Sequence, residues 1–376
     1  MKKLKVAVVI PTQPGIKSSL HNLLKVYEYL IEKFKIEVTI FTDNKNHFSY
    51  KNFKVQKISG VDYGTSIEKF FLFLGLQRDY YPDLIEKLKG YDVIETSNPE
   101  FYWFAYQSYL AAKKYNSRLI YRTSQTVDGF YLFKITKFIP LSIAKNAYKY
   151  ASSFLFTNPE AAERCIRLGL IEKNSKKIIL IGHATDTNTF KPLKIKKNKS
   201  KIILLSVGGL YKIKGHHIII EALRNVMDKG HNAELWIAGS GYYKKILVNL
   251  SKNLGVEKNV KFLGSKGHNE LAEIYNKSDI FVLANYQEIT PAVNEALACN
   301  KPVVVMECGG RDFVIPNESY GLVSKRFDVD DMAEKIISLI KNKKLGDEIA
   351  GNGRKRVLNN FSMGKVALKF YKAFTQ

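Results

Sequence analysis

Two domains, each a parallel sheet with helices on both faces, are the fold this sequence predicts. Three observations predict it. The chain has 376 residues, more than one core comfortably serves. Short continuous apolar runs recur along it, each followed by a segment with apolar residues at helical spacing. The alternation stops once, at a lysine-rich stretch, and then restarts.

Val6–Ile10 is an unbroken apolar run and reads as the first strand. The loop Pro11–Lys17 leads into a helix whose Leu20, Leu23, Leu24, Tyr27 and Leu30 share a face. Ile36–Phe41 is the next strand. The loop after strand one lies on the usual ligand side of an open parallel sheet, which makes Gly15 and Lys17 candidates. Residues 43–66 read as irregular. Ile67–Lys89 and Pro99–Tyr115 read as aromatic-rich helices around a strand at Asp92–Thr96. Arg118–Thr123 is a strand, followed by a loop through Gly129 and a helix from Pro140 to about Tyr150. Ser153–Asn158 (strand), Pro159–Leu168 (helix) and Lys177–Ile181 (strand) complete a first domain over residues 1–190.

Lys191–Lys201 holds six lysines in eleven residues and little that is apolar. It reads as a solvated linker, residues 191–200. Strands at Ile202–Val207, Ala233–Ala238, Asn259–Leu263, Asp279–Leu283 and Pro302–Met306 then alternate with helices at His216–Lys229, Tyr242–Leu254 and Asn269–Asn276. A further helix starts at Pro291. Helices at Asp330–Lys341 and Leu345–Asn359 close a second domain over 201–360. The last helix, within 361–376, has Val366, Phe370 and Phe374 on one face. A cleft between the facing sheet edges is the expected active site.

The net charge is +24, divided as +11 over residues 1–190 and +13 over the rest. Such a balance fits phosphorylated ligands, an anionic membrane surface, nucleic acid or a lysine-rich proteome. The basic residues are dispersed and no nucleic-acid module is recognisable, so no nucleic-acid partner is expected. The aromatic and lysine mixture at 130–150 fits either a core helix or peripheral contact with anionic lipid. Cys165, Cys299 and Cys308 show no metal or redox spacing and read as buried thiols of a cytoplasmic protein. The N-terminal apolar run is short and ends at Pro11, as a buried strand does and a signal peptide does not. No stretch suffices to span a bilayer.

Chemistry concentrates at Val282–Cys299. Glu288 lies in a loop, Glu295 one turn into a helix. Thr290 suits the N-cap and Pro291 the first helical position. A helix start favours anions, and two carboxylates beside it suit a ligand with both hydroxyls and phosphates. Two solvated glutamates on an ordinary strand–loop–helix fit the stretch equally well. Ser206–Gly215 runs from a strand through Gly208 and Gly209 to Lys212 and Lys214, a loop type that brings backbone amides and charge to a phosphate. Gly239 and Gly241 form a second flexible turn, but no dinucleotide fingerprint. Gly264 and Ser265, in the loop before His268, offer backbone hydrogen bonds to a planar base.

The order and spacing of these pieces resemble the retaining GT-B glycosyltransferases of family four. The matching pieces are Val207-Gly-Gly-Leu with Lys214-Gly215, Leu235–Gly241, Val260–Gly264, Ser278–Leu283, Glu288 with Glu295–Ala298, Lys301–Val305 and Gly309-Gly310. The stretch Ile181–Pro192 resembles the family's domain junction. The match is dense over roughly 177–374 and sparse before it.

The resemblance implies two doubly wound Rossmann-like domains facing a central cleft, and a C-terminal helix packing back toward the first. It implies transfer of a sugar from a UDP- or GDP-sugar to a hydroxyl of a glycan or lipid-linked acceptor, with retention, no cofactor and no metal; the charge and the 130–150 aromatics, not the resemblance, suggest attachment at the cytoplasmic face of a membrane. By the same resemblance, Lys214 holds the diphosphate, with Gly208, Gly209, Lys212 and Gly239 near it. Glu288 contacts the sugar, Glu295 the ribose. Thr290, Pro291 and Ala292 frame the sugar and distal phosphate, and Gly264 and Ser265 meet the base. Gly15, Lys17, Arg122 and His183 fall on the acceptor side.

Three departures stand out. Gly209 replaces the family's arginine, with Lys212 or Arg311 as substitutes. The glutamates are one residue too close, so Gln287 competes with Glu288 for the first place. Arg122-Thr123-Ser124 stands where the family has a histidine, and Gly15 where it has a glycine pair. An inactive nucleotide-sugar-binding relative and a nucleotide-sugar epimerase are the alternatives.

Overall fold

The computed structural model describes residues 3–11, 17–44, 53–60, 80–100, 102–124, 138–195 and 200–376, with backbone alone for 17–20 and 138–143. Two compact units result: Met1–Gly182 together with Met363–Gln376, and His183–Ser362.

The first unit holds seven parallel strands: β1 (Lys5–Val9), β2 (Glu37–Asp43), β3 (Lys54–Ile58), β4 (Val93–Thr96), β5 (Arg118–Thr123), β6 (Ser153–Phe156) and β7 (Ile178–Leu180), in the order β3-β2-β1-β4-β5-β6-β7. The helices are α1 (Lys17–Phe34), α2 (Leu84–Lys87), α3 (Trp103–Tyr115), α4 (Phe138–Tyr150) and α5 (Pro159–Arg167). Val6, Ala7, Val8 and Val9 are all buried, because helices cover both faces of a parallel sheet.

Asn158 starts α5: its Oδ1 accepts from the Ala161 amide at 2.8 Å, and Pro159 fills the first turn. Asn158→Ala should lower the unfolding free energy by about 1 kcal/mol, the usual worth of a cap, as read by denaturant titration. Behind this helix start lies a buried ion pair, Arg164 to Glu100 at 2.9 Å. Tyr148 donates to the same carboxylate. The pair fixes the loop at the carboxyl end of β4.

Several boundaries differ from the sequence reading. β3 falls inside the stretch read as irregular. It is an edge strand paired only with β2, with Ile58 its one buried residue, so its apolar signal is faint. Of the helix expected over 67–89, residues 61–79 lie outside the described residues, and the described part is helical only as α2. Of the 130–150 segment's aromatics, Phe130, Tyr131 and Phe133 also lie outside them; in its described part Ala144, Ala147 and Tyr148 are buried while Lys145 is exposed. No helix among the described residues is long and apolar enough to cross a membrane.

The second unit has six parallel strands: β8 (Ile202–Val207), β9 (Ala233–Ala238), β10 (Val260–Gly264), β11 (Ile280–Leu283), β12 (Val303–Met306) and β13 (Leu322–Ser324), in the order β10-β9-β8-β11-β12-β13. Its helices are α6 (His216–Asp228), α7 (Lys244–Asn253), α8 (His268–Lys277), α9 (Pro291–Ala298), α10 (Arg311–Val314), α11 (Val329–Lys341) and α12 (Lys343–Asn360). β13 and α10 were not legible in the sequence, being three and four residues long.

The chain passes between units at 182/183, ahead of the lysine-rich stretch expected to link them. The reason is local. Asp186 closes a turn by accepting from the Asn188 and Thr189 amides. Phe190 is fully buried, edge-on to Tyr275. Asn276 binds the Lys191 carbonyl and the Leu193 amide, fastening this segment to the second unit. After Ser362 the chain returns to the first unit as α13 (Met363–Thr375). There α13 packs on α1: Phe370 meets Tyr27 edge-on at 5.8 Å, and Tyr371 stacks on Phe34 at 4.2 Å.

Candidate functional site

The order of the second sheet reverses between β8 and β11. Chain leaving these two strands turns in opposite directions and opens a crevice at their carboxyl ends. The Gly208–Gly215 loop follows β8 and the Ala284–Thr290 loop follows β11. The two are in contact: the Tyr286 amide donates to the Ile213 carbonyl at 3.0 Å. Gly215, at φ +67°, lies so close to the Ala284 carbonyl that any Cβ would clash with it. Lys214 and Glu288 are thereby delivered to the two sides of the crevice.

Lys214 ends a short 3-10 turn (Lys212–Lys214) and is half-buried. Burial holds its ammonium below the usual lysine range, and the Glu288 carboxylate pulls the other way. Glu288 forms an isolated parallel bridge with Gly309, in which the Ile289 amide donates to the Gly309 carbonyl and the Gly309 amide to the Gln287 carbonyl. This pairing fixes the loop; Gln287 is exposed in it and Glu288 half-buried.

Thr290 and Pro291 take the N-cap and first position of α9, but the threonine hydroxyl is buried without a partner instead of capping the helix. Glu295, on the first turns of α9, is 7% exposed. Tyr275 donates to its Oε2 at 2.9 Å. Burial pushes the Glu295 carboxyl up to about 7, against the pull of that hydrogen bond. Ala292 is buried beside it, and Tyr275 also donates to the Ala292 carbonyl. Asn294, next in sequence, donates to the carbonyl of His183 at 3.2 Å. His183 was expected on the acceptor side; it belongs to the second unit, beside α9, and burial pushes its imidazole down to about 4.

The glycine loops close around this crevice. Gly239 packs its Cα face against the Gly208 carbonyl, leaving no room for a side chain. Ser240 and Ser265 hydroxyls meet at 2.7 Å, which joins the turn after β9 to the one after β10, where Gly264 adopts φ +72°. His268 opens α8, its ring edge-on to Phe190. At Gly209 a Cβ would lie 2.5 Å from the Tyr211 ring. Tyr211 occupies the space an arginine side chain would need there. Lys212 is exposed, and Arg311 is engaged by Glu307 and Asp312. His216, the first residue of α6, is buried under Gly208 with its Nδ1 3.2 Å from Ser206 Oγ. Burial pushes this imidazole down to about 4, so it supports the loop as a neutral ring.

Gly15 and the side chain of Lys17 lie outside the described residues; Lys17 begins α1. Arg122 is on β5, where its Nε donates to Glu95 Oε1 at 2.8 Å. Tyr27 donates to the same oxygen at 2.6 Å. Burial raises the Glu95 carboxyl above its usual range, with Arg122 opposing. Sequence reasoning missed Tyr275, Asn294, His216, Glu95 and Tyr27. Glu95 alone left a signal, a carboxylate in an otherwise apolar buried strand. Among the described residues no group of three or more His, Cys, Asp or Glu side chains is placed to hold a metal. The three cysteines are buried and unbridged.

Residues 187–356 match the family model described as Glycosyl transferases group 1. Among curated relatives, the chain is 27% identical over 261 residues to the N,N'-diacetylbacillosaminyl-diphospho-undecaprenol alpha-1,3-N-acetylgalactosaminyltransferase of Campylobacter jejuni, covering 66% of each chain. It is 25% identical over 249 residues to the capsular polysaccharide biosynthesis glycosyltransferase CapM of Staphylococcus aureus, covering 63% of this chain and 64% of that one. The matches thus span slightly under two thirds of these relatives' own lengths. Among solved structures, Anabaena Alr3699/HepE in complex with UDP superposes with a TM-score of 0.77 at 16% identity, over 99% of both chains. Sucrose-phosphate synthase from Thermosynechococcus elongatus gives 0.75 at 20% identity, over 99% of this chain and 98% of that one. At such identities the structural likeness speaks for the fold alone.

Proposed function

We propose that this chain, whose residues 187–356 match the group 1 glycosyl transferases and whose two Rossmann-like units have the GT-B fold, moves a sugar from a nucleotide-diphosphate donor to a hydroxyl acceptor, with retention of anomeric configuration and without a metal. The observation that carries the reading is the placement of Lys214 and Glu288 on two contacting loops at the crevice of the second sheet, with Glu295 on the adjoining helix. The leaving diphosphate develops charge as the glycosidic bond breaks. A fixed ammonium and the open amides of a helix start stabilise that charge without reorganisation. Glu288 serves the sugar and Glu295 the ribose hydroxyls. The UDP in the similar Anabaena structure supports a uridine donor as the first to try.

The relatives' names support a glycan or lipid-linked acceptor: one carries diphospho-undecaprenol in its name, another capsular polysaccharide. Together with the +24 charge they favour work at an anionic membrane surface, on the cytoplasmic side where nucleotide sugars are made. Cosedimentation with anionic vesicles at low salt, reversed at high salt, is the expected result; indifference to vesicles contradicts it.

The test is a panel of UDP- and GDP-sugars with and without a lipid-diphosphate acceptor, read as nucleoside diphosphate released. Acceptor-dependent release is expected. The Tyr211 ring over Gly209, and Arg311 held by two carboxylates, favour a second reading as an inactive sugar-nucleotide binder. Binding without release under any condition would select that reading. Conversion of the donor sugar with no acceptor present would mark an epimerase.

A further inference from the structure

We propose that the second unit docks on an anionic membrane through a basic aromatic patch, formed by Tyr211, Tyr242 and Ile246 with Lys212, Lys244 and Lys245. The choice of a membrane as occupant rests on the reading above, which puts the work at such a surface; the patch itself does not.

Two loops build the patch. The loop after β8 carries Tyr211 and Lys212, and the turn after β9 carries Tyr242. Backbone hydrogen bonds pin them together: the Leu210 amide donates to the Ser240 carbonyl at 2.9 Å, and the Tyr243 amide to the Leu210 carbonyl at 3.0 Å. The Tyr211 and Tyr242 rings consequently sit 5.4 Å apart. Tyr243 is partly buried, its ring edge-on to His217 of α6, which holds the turn in place. α7 starts directly after it. Leu247 and Ser251 are the buried residues of that helix, so Lys244, Lys245 and Ile246 are left outside, Ile246 one turn on from Tyr242. Tyr242 is 75% exposed, Ile246 51% and Tyr211 43%, and all three lysines are exposed.

A single exposed apolar side chain needs no explanation, but a group of them marks an interaction surface. Charge narrows the occupant. No Asp or Glu occurs between Asp186 and Glu221, or between Glu234 and Glu257, so both contributing segments carry basic charge alone. Lysine is depleted where proteins meet proteins, because its strongly hydrated ammonium would have to be stripped. At a lipid surface it keeps its water and meets headgroup phosphates. Tyrosine rings and an aliphatic side chain then enter the boundary between headgroups and acyl chains. Tyr211 and Lys214 share one loop, so docking here brings the crevice loop itself to the lipid surface.

The experiment is cosedimentation of the full chain at low salt with vesicles of equal parts phosphatidylglycerol and phosphatidylcholine. It compares wild type with Tyr242→Ser/Ile246→Ser, with Lys244→Glu/Lys245→Glu and with Leu368→Ser. The last removes a side chain as exposed as Ile246 from α13, in the first unit. All the substituted side chains are exposed, so unfolding temperatures should match that of wild type. The apolar pair should weaken vesicle binding at least about tenfold, the scale of removing one aliphatic side chain from water. The charge reversal should weaken it at least about tenfold as well, the scale of two lysines near an anionic surface. Leu368→Ser should bind as wild type does. Wild-type binding by both pairs overturns the proposal and leaves the membrane reading standing. Loss in the lysine pair alone reduces the contact to diffuse charge and also overturns it, as does an equal loss in Leu368→Ser. A concentration-dependent dimer seen by sedimentation velocity without vesicles, and abolished in the apolar pair, assigns the patch to a second copy of the chain instead. Wild type that ignores the anionic vesicles overturns the proposal and the membrane reading together.

Discussion

Lys214→Ala should lower sugar transfer by about 10²–10³-fold while the protein stays folded, a loss comparable to removing one preorganised donor from a charge-stabilising site. The lysine is half-buried at the crevice, its ammonium held below the usual range by that burial. A desolvated cation does not stabilise the free fold. Its removal should therefore leave the unfolding temperature unchanged or slightly raised. Glu288 loses its opposing charge in the variant, but it is half-exposed and remains hydrated. Because the diphosphate's charge grows as the bond breaks, kcat should fall more than the affinity for donor. A steady-state assay paired with thermal unfolding checks both halves. Transfer within a few-fold of wild type would remove Lys214 from the mechanism.

Glu295→Gln should stabilise the free protein above neutral pH and impair nucleotide binding. In the folded chain burial moves this carboxyl from 4.5 to about 7. Between those values the folded state holds a proton that the unfolded state has released. Stability therefore falls as pH rises from about 4.5 through 7 and is flat beyond, by about 3 kcal/mol in total. Glutamine has no such loss, so the gain from the substitution should be absent at pH 4.5 and full at pH 8. Binding runs in the opposite direction. Ribose hydroxyls donate to a carboxylate, so nucleotide affinity in the wild type should strengthen as pH rises through 7, and the variant should lose that dependence. Denaturant titrations and nucleotide isotherms at pH 5, 7 and 8 test it. A variant no more stable than wild type at pH 8, or one that binds nucleotide equally well, contradicts the assignment.

The central strands were legible because their burial on both faces forces unbroken apolar runs; β8 and β9 have the bounds read from the sequence. Edge strands lack that constraint, and β3 and β13 went unread. The candidate site was legible where backbone chemistry dictates residue type, as with Pro291 at the helix start and Gly239 at the close approach of two loops. It was not legible where the decisive contact is between residues distant in sequence. Spacing could not show the conformation of the Gln287–Glu288 loop, because that is set by the bridge to Gly309. Nor could it reveal Tyr275 beneath Glu295, or the tie between Glu95 and Arg122 across two strands.

The crevice between β8 and β11 as a nucleoside diphosphate site is the claim on which the rest depends. Calorimetric titration with UDP and with GDP tests it most directly. The expected result is saturable one-to-one binding of one of the two by wild type, weakened at least about tenfold in both Lys214→Ala and Glu295→Gln. Binding of neither nucleotide, or equal binding by wild type and both variants, would contradict it.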